Sequence, residues 1–308
     1  MFFLFNHFKK NRPFSKKSWK RSVLCVVLFL FISSNQAQAF EWPEWIYYPF
    51  FDNSDNIRNK KLVNHAIGLG YQHGAMNVEP GNGLLTEWSN ANSIALVTYG
   101  TLNLTSRLWL VSDGLSSFLF NSNNSAIING MQNNIPQTFG FNSEMNFLIG
   151  YDILRFSKID IGAYTGFYEM TIHNYATSGS TEMRNQSYFI GGVIGIDLTH
   201  YSDKLITRVF TEFYMTYLVG YQSYQTNQFN LYSTNFANTE PAMGFGVGSS
   251  IEIPLDNGFW IKPFAKLQMI FANDISTGTY YFSNISNTNN NGSSVIQILT
   301  TGLGIGWR

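Results

Sequence analysis

The stretch 243-MGFGVGSSIEI-253 decides the fold, because large apolar residues alternate in it with small or charged ones. One parity carries Met243, Phe245, Val247, Ile251 and Ile253, and the other carries Gly244, Gly246, Gly248 and Glu252. Successive side chains of a β-strand point to opposite faces, so this period of two predicts a strand with one apolar face. The other face is rich in glycine, which is poor strand material unless something must approach closely or the wall must bend.

The same rhythm recurs after residue 61. It is found in 63–72, 141–152, 188–198 and 209–219, two further strands fit 259–272 and 294–307, and looser matches cover 92–104 and 107–120. We count about ten strands of about 12 to 16 residues, whereas about 9 to 11 tilted residues suffice to cross a membrane. Beyond residue 39, no apolar stretch approaches the roughly 18 residues of a spanning helix, which excludes an all-helical membrane protein.

The connections between these strands alternate in length. Short links are 153–158, 199–204 and 254–258, and long polar links are 171–186, 221–239 and 273–293. Transmembrane β-barrels of the bacterial outer membrane have short periplasmic turns and long external loops. The sequence therefore predicts an all-β fold, a single closed antiparallel up-and-down transmembrane β-barrel of about 10 strands, with 8 or 12 as alternatives.

A soluble lipocalin-like barrel or a β-sandwich is the competing fold. In either, the apolar parity faces the core and the polar parity faces water. The parity that would have to face water here is dominated by glycine, which favours the membrane barrel.

Residues 1–39 have the three-part pattern of a cleaved secretory signal. They contain seven of the 19 basic residues of the chain and none of its 19 acidic ones. An apolar run at 23–32, too short to span a bilayer, precedes the exit Ala37-Gln38-Ala39, and an N-terminal anchor helix is the alternative. Cleavage after Ala39 removes the single cysteine, Cys25, and leaves 12 basic and 19 acidic side chains, a net charge of −7.

Residues 40–61 form an aromatic-rich segment ahead of the barrel, which we assign to 62–308. Trp42, Trp45 and Tyr47 are among its aromatic residues. Because Trp and Tyr prefer the membrane interface, we expect this segment to be periplasmic and to lie at that interface, with a plug inside the lumen as the alternative.

The region from Leu62 to Trp307 resembles Gram-negative outer-membrane β-barrel proteins as a class. In that class the last strand ends in an aromatic residue that serves as an insertion signal. Leu303, Ile305 and Trp307 share one parity and match this pattern, although Arg308 follows the aromatic residue. The resemblance implies the outer membrane of a Gram-negative bacterium as location, and outer-membrane lipids and the barrel-insertion machinery as partners. We predict no cofactor and no metal, since no metal-binding motif appears.

Parity and topology together predict which charged residues face the lumen. At the periplasmic mouth we place Asp152, Asp160, Asp197 and Glu252, and deeper inside we place Glu144, Arg208, Glu212, Lys262 and Lys266. Ten strands enclose a narrow lumen, and an unpaired buried charge is costly. We therefore interpret the deep group as a structural network of ion pairs, with the selectivity ring of an open pore as the alternative.

One short link offers a catalytic alternative. His200 and Ser202 have the His-x-Ser spacing that resembles outer-membrane lipid A deacylases, and Glu212 follows them. A serine activated by a histidine, itself oriented by a carboxylate, performs acyl transfer. Against this, Asp203 stands where the deacylases carry Asn, and the link is predicted on the periplasmic side, away from lipid A. We therefore predict that the protein is not an enzyme, and keep an outer-membrane lipid hydrolase as the alternative.

Composition narrows the function further. The charged fraction is 12%, about half the usual value, which argues against an ordinary cytosolic enzyme. The mature chain carries no basic patch, so nucleic-acid binding is not expected. The predicted function is a small-solute channel or the display of surface loops for binding or adhesion, and the sequence leaves the ligand open.

Overall fold

A computed structural model describes residues 63–80, 84–105, 107–128, 131–202, 205–226, 229–238, 240–255, 258–277, 279–281, 284–286 and 292–307. The predicted signal peptide 1–39 and the segment 40–61 lie outside these residues. The strands of the described residues are β1 Val63–Glu79, β2 Leu84–Asn103, β3 Leu108–Ile128, β4 Met131–Asn134, β5 Gln137–Arg155, β6 Ile159–Ser178, β7 Thr181–Tyr201, β8 Ile206–Thr226, β9 Phe229–Asn238, β10 Ala242–Pro254, β11 Phe259–Thr277, β12 Thr279–Tyr281, β13 Asn284–Ser286 and β14 Gly292–Trp307. Among these residues, no helix is long and apolar enough to cross a membrane.

Twelve strands form one antiparallel sheet that closes on itself, while β12 and β13 pair separately. Closure is made by β1 and β14, which are in register from His65 opposite Trp307 to Glu79 opposite Ser293. Because β9 and β10 both pair with β8 and β11, they are two halves of one wall strand. Likewise β4 and β5 both pair with β3. The twelve strands therefore occupy ten positions around the ring, and the predicted all-β barrel is confirmed.

The two ends of the barrel differ. At one, which we call the short-turn end, segments 104–107, 156–158, 202–205 and 255–258 join the strands. At the other, the hairpin end, the strands extend further: β6 and β7 stay paired up to a two-residue turn at Gly179 and Ser180. The stretches 171–186 and 221–239, predicted as links, are therefore mostly strand.

The outer surface of the barrel carries a belt of exposed apolar side chains. Leu69, Ile194 and Phe213 are more than 60% exposed, whereas the neighbouring inward residue Glu212 is buried. This is the reverse of a soluble β-fold, in which the apolar parity converges on the interior. The exposed belt is what a lipid environment requires, and the predicted assignment of parities agrees with it.

Glycines of the inward parity accommodate aromatic rings from the neighbouring strand. The ring of Tyr164 lies over Gly195, its cross-strand partner, so that a Cβ atom there would come within 2.2 Å of the ring. Trp260 covers Gly306 in the same way, at 2.1 Å. An aromatic ring packed on a cross-strand glycine fills the space that the missing side chain leaves. The glycine parity is therefore the face that neighbouring rings approach closely.

Beyond the belt, at the hairpin end, large apolar side chains occupy inward positions and charged side chains occupy outward positions. On β7, Met183 points inward and is fully buried, whereas Arg184 points outward and is exposed. Ten residues further along, Ile194 points outward and is exposed. The hairpin end thus buries large apolar side chains together with polar ones such as Asn185 and Gln222, while its exterior carries charged groups. This is the pattern of a sheet whose outer face meets water instead of lipid. Its largest fully buried side chains include Trp88, Met170, Met183, Phe189, Leu218 and Phe236.

Candidate functional site

The centre of the lumen is occupied by an ion-pair cluster around Lys266. Its Nζ atom lies 2.7 Å from Glu144 Oε1 and 3.2 Å from Glu212 Oε2. Glu144 is on β5 and Lys266 on β11, which are opposite walls of the ring, so this pair crosses the lumen. All three residues were predicted to face the lumen, and the structure brings them together. One ammonium group serves two carboxylates here, so the cluster retains an excess negative charge.

Tyrosines and an amide extend this cluster. Tyr164 donates its hydroxyl hydrogen to Glu212 Oε1 at 3.1 Å, and Tyr214 donates to the other carboxylate oxygen. The rings of Tyr168 and Tyr214 are in contact, with centroids 4.6 Å apart. Gln268 Nε2 donates to the Tyr168 hydroxyl at 2.6 Å, which is a second bond between opposite walls. These hydrogen bonds satisfy buried polar groups that would otherwise be costly.

Charged residues at the short-turn end are paired with one another. Arg208 Nε lies 2.9 Å from Asp197 Oδ2, and Lys262 Nζ lies 3.7 Å from Glu252 Oε1. Arg208 and Lys262 were predicted in the deep group, but they lie near the ends of their strands and contact carboxylates predicted at the mouth. The long side chains of arginine and lysine let their charged groups extend well away from their backbone positions.

Arg155 serves the remaining two predicted mouth carboxylates. Its Nη2 atom is 2.8 Å from Asp152 Oδ2, and its Nε atom is 3.9 Å from Asp160 Oδ1. Trp109 Nε1 donates a further hydrogen bond to Asp152 at 3.0 Å. Of these residues, Arg155 and Trp109 were missed as members of the interior network.

Asp113 is the interior carboxylate that sequence reasoning missed. It is on β3, opposite Asn146 of β5 in the sheet register. Its parity in 107–120 would have placed it inside, but the outward positions Ser112, Gly114 and Ser116 are small and conceal the alternation of that strand. The alternation was therefore the available signal, and it was weak at this strand.

The hairpin half of the lumen is crossed by further contacts between opposite walls. Gln222 Nε2, on β8, donates to Thr86 Oγ1 of β2 at 2.7 Å and to the Val78 carbonyl of β1 at 3.2 Å. Asn185 Nδ2, on β7, lies 3.4 Å from Met76 Sδ of β1. All of these side chains except Met76 and Val78 are polar, and every one of the five residues is buried. Side chains thus fill and bridge this half of the lumen.

The hairpin end also carries a surface ion pair. Arg184 Nη2 lies 3.0 Å from Glu182 Oε2, and the guanidinium group stands over the Tyr175 ring at 5.2 Å. The hydrogen bond to Glu182 raises the pKa of the exposed Arg184 guanidinium. Such an exposed pair contributes little to stability.

The residues of the catalytic alternative do not form a triad. Ser202 sits in a short turn, where its hydroxyl donates to the Leu205 carbonyl at 3.0 Å. His200 is opposite Thr207 on β8, whereas Glu212 is five residues further along that strand. At about 3.3 Å per residue, this separates them by roughly 16 Å along the wall. Glu212 is instead bound by Lys266 inside the lumen.

The residues predicted as an insertion signal lie at the end of the last strand. Leu303, Ile305 and Trp307 of β14 are all exposed on the outer face, at the short-turn end. Their role as an insertion signal remains a prediction. Within the described residues, no group of three or more His, Cys, Asp or Glu side chains is placed to hold a metal ion.

A closed antiparallel barrel with an apolar outer belt and a polar, bridged interior defines the class of transmembrane β-barrels. No family model matches the chain, and no curated protein matches it in sequence. Among solved structures, it is similar to the outer membrane protease OmpT from Escherichia coli, with a TM-score of 0.68 and 10% identity over 80% of this chain and 96% of that one. The fold is therefore that of Gram-negative outer-membrane barrels.

Other barrels match more weakly. The toluene transporter TodX from Pseudomonas putida gives a TM-score of 0.36 at 9% identity, over 80% of this chain and 89% of that one. The translocator domain of the autotransporter NalP from Neisseria meningitidis gives 0.40 at 8% identity, over 80% and 88%.

The prediction that the protein is not an enzyme is wrong as an exclusion. The first of these structures is a protease, and it has the same fold. A barrel of this kind therefore gives no physical reason to exclude an activity.

Proposed function

We propose that the protein resides in the outer membrane of a Gram-negative bacterium, is exported by residues 1–39, and acts at the cell surface through its hairpin end. The apolar belt supports the location, because only lipid accommodates so many exposed apolar side chains. The short-turn end supports the orientation, since turns of three or four residues are typical of the periplasmic side.

The single observation that carries the surface role is the bridging of the lumen by side chains. Lys266 with Glu144 and Gln268 with Tyr168 connect opposite walls at mid-height, and Gln222 with Thr86 connects them at the hairpin end. A solute channel needs a continuous open path, whereas here side chains that meet across the lumen occupy both its centre and its hairpin half. Of the two functions considered from sequence, the geometry favours binding or adhesion at the surface over passage of solutes.

The hairpin end has the features of a binding platform. Its strands extend past the apolar belt, and they are held rigid by sheet pairing and by a buried apolar core. Its exterior presents the Glu182–Arg184 pair and the exposed strand β4, which includes the 69% exposed Met131. Rigid elements position binding groups more sharply than loops do.

The proposal is tested by conductance and adhesion measured on the same protein. In planar bilayers the mature protein is expected to give no stepwise conductance, because its lumen is bridged. Cells that display it are expected to adhere to protein-coated surfaces more than cells without it. Replacing both Glu182 and Arg184 by Ser is expected to reduce that adhesion while the barrel still folds, because an exposed ion pair contributes little to stability.

Two matched cysteine variants check the orientation. The mature chain has no cysteine, so Ser180→Cys at the hairpin end and Ser157→Cys at the short-turn end each introduce a single reactive thiol. Both positions are exposed. A membrane-impermeant maleimide is expected to label Ser180→Cys on intact cells and Ser157→Cys only after lysis. Solute-dependent conductance of the wild type, or the opposite labelling pattern, would overturn the proposal.

A further inference from the structure

Strand β4, Met131–Asn134, is paired on one side only. In the described part of the chain it pairs with β3 and with no other strand. On its other side the neighbouring strand of the ring is β6, which ends at Ser178, and Thr177 of that strand already lies opposite Gln137 at the start of β5. β4 therefore extends past the end of β6, and all of its residues are exposed.

The backbone of β4 directs N–H and C=O groups toward this unpaired side. In an antiparallel pair, residues that exchange both backbone hydrogen bonds alternate with residues that exchange none. The Ile135 N–H donates to the Asn124 carbonyl at 3.0 Å. Two residues back, Asn133 is therefore bonded to β3, whereas the backbone groups of Gln132 and Asn134 point away from β3.

The sequence of β4 leaves this edge open to pairing. Exposed edges are usually blunted by lysine, by proline or by a bulge, which prevent pairing with another chain. β4 has the sequence Met-Gln-Asn-Asn, which holds no charge and no proline, and its register with β3 has no bulge. Gln132 Nε2 donates to Asn134 Oδ1 at 3.1 Å, so two amides lie side by side on one face. Such amides form ladders between paired strands, and an open edge of this kind accepts an extended polypeptide.

We propose that β4 pairs antiparallel with β4 of a second copy of this chain on a facing cell, which rests on the proposed location of the hairpin end at the cell surface. The edge is complementary to itself. With a twofold axis at Asn133, Gln132 lies opposite the partner's Asn134, and Asn134 lies opposite the partner's Gln132. Every N–H group that points away from β3 then meets a C=O group of the other strand, and amides face amides. β4 carries no charge that would repel its copy.

Antiparallel pairing determines where the second copy is. The strands of a membrane barrel are inclined to the membrane, so each has a component along the membrane normal. Two copies in one membrane share the sense of that component, so their β4 strands do not run antiparallel. A copy in a facing membrane is inverted, and its β4 runs in the opposite direction. The pairing therefore joins two cells, where many copies act together and compensate for the small size of each contact.

The test is the clumping of two differently stained populations of cells, counted by microscopy. Cells that display the wild type are expected to clump with one another. Asn133→Lys and Asn133→Glu each place like charges face to face at the twofold axis, so clumping within each variant is expected to fall at least severalfold. Mixing cells of the first variant with cells of the second is expected to restore clumping, because opposite charges then meet.

The matched control is Asn77→Lys. Asn77 is also an exposed asparagine near the hairpin end, but it is on β1, which is paired on both sides. Cells that display this variant are expected to clump like the wild type. A third variant, Gln132→Pro, introduces no charge and removes one N–H group that points away from β3. It is expected to lose clumping while the band of the folded barrel on a gel is retained.

The outcomes separate this pairing from the proposed function. Clumping that persists in both Asn133 variants, or mixed clumps with cells that lack the protein, would show that the edge does not pair with a second copy. Maleimide labelling of Ser180→Cys and adhesion to coated surfaces are measured in parallel. If both occur without clumping, the pairing is wrong and the proposed function stands. If Ser180→Cys is not labelled on intact cells, the hairpin end is not at the surface and both are wrong.

Discussion

At the scale of single residues, we expect the stability of the barrel to depend strongly on Lys266. It is placed between Glu144 and Glu212, both of which are buried. Replacing it by Met keeps much of its volume but leaves two carboxylates without their shared cation. We expect Lys266→Met to lower the free energy of unfolding by about 3–5 kcal/mol, because removing one partner of a buried ion pair leaves the other charge buried and uncompensated. Urea titration of the protein in lipid vesicles measures this.

The surface ion pair provides the control. Arg184→Met removes the partner of Glu182, but the Arg184 side chain is exposed, so we expect a loss below about 1 kcal/mol. Adding Glu144→Gln and Glu212→Gln to Lys266→Met should restore much of the lost stability, since the negative charges are then gone. Equal losses for Lys266→Met and Arg184→Met would show that the central pairs are not buried charges.

The sequence could predict which residues face the lumen but not which of them meet. Parity alone predicted that Glu144, Glu212 and Lys266 face inward, and in the structure Lys266 contacts both carboxylates. Their contact crosses the lumen, so it depends on the diameter of the barrel and on the stagger of strands that are distant in sequence. The same limit explains Arg208 and Lys262, whose side chains reach carboxylates that backbone position had assigned to another level.

At the scale of elements, strand β7 offers a matched pair of glycines. A Cβ atom at Gly195 would lie 2.2 Å from the Tyr164 ring, whereas one at Gly192 would meet only the Gly166 carbonyl at 3.7 Å. We expect Gly195→Ala to destabilise the barrel by about 1–3 kcal/mol, because the ring must move and its bond to Glu212 is strained. Gly192→Ala should change stability by less than about 0.5 kcal/mol.

The measurement is the temperature at which heating converts the band of the folded barrel on a gel into the band of the unfolded chain. This temperature is compared for the two alanine variants. If Gly192→Ala proves as harmful as Gly195→Ala, the effect comes from the glycine backbone of β7. In that event, packing of aromatic rings on glycines would not explain the glycine-rich parity.

Elements in the belt were predictable, and those beyond it were not, for one physical reason. In the belt the outward residues must be apolar, so 188–198 and 243–253 show a clear alternation with glycine. At the hairpin end the outer face meets water, so Met183 is the buried residue and Arg184 the exposed one. The sequence there is rich in Asn, Ser and Thr without a clear alternation. It therefore resembles that of loops, although sheet pairing continues through it.

At the scale of the whole molecule, the fold depends on which face of the sheet meets lipid. Trp260 and Trp307 test this directly, because they are at the same height on adjacent strands and on opposite faces: Trp260 lies opposite Gly306, the residue before Trp307. Trp260 is fully buried and Trp307 is 44% exposed. Lipid should therefore reach one indole and not the other.

We expect brominated acyl chains to quench the fluorescence of Trp307 at least severalfold more than that of Trp260. Three proteins retain Trp307, Trp260 or Trp88 alone, with every other tryptophan of residues 40–308 changed to Phe, and each is refolded into vesicles of brominated phospholipid. Trp88, also fully buried but at the hairpin end, is the second unquenched reference. Quenching of Trp260 as strong as that of Trp307 would mean that the glycine-rich parity faces lipid. The central ion pairs could not then persist, because Lys266 and Glu144 share that face with Trp260 and would be placed in hydrocarbon.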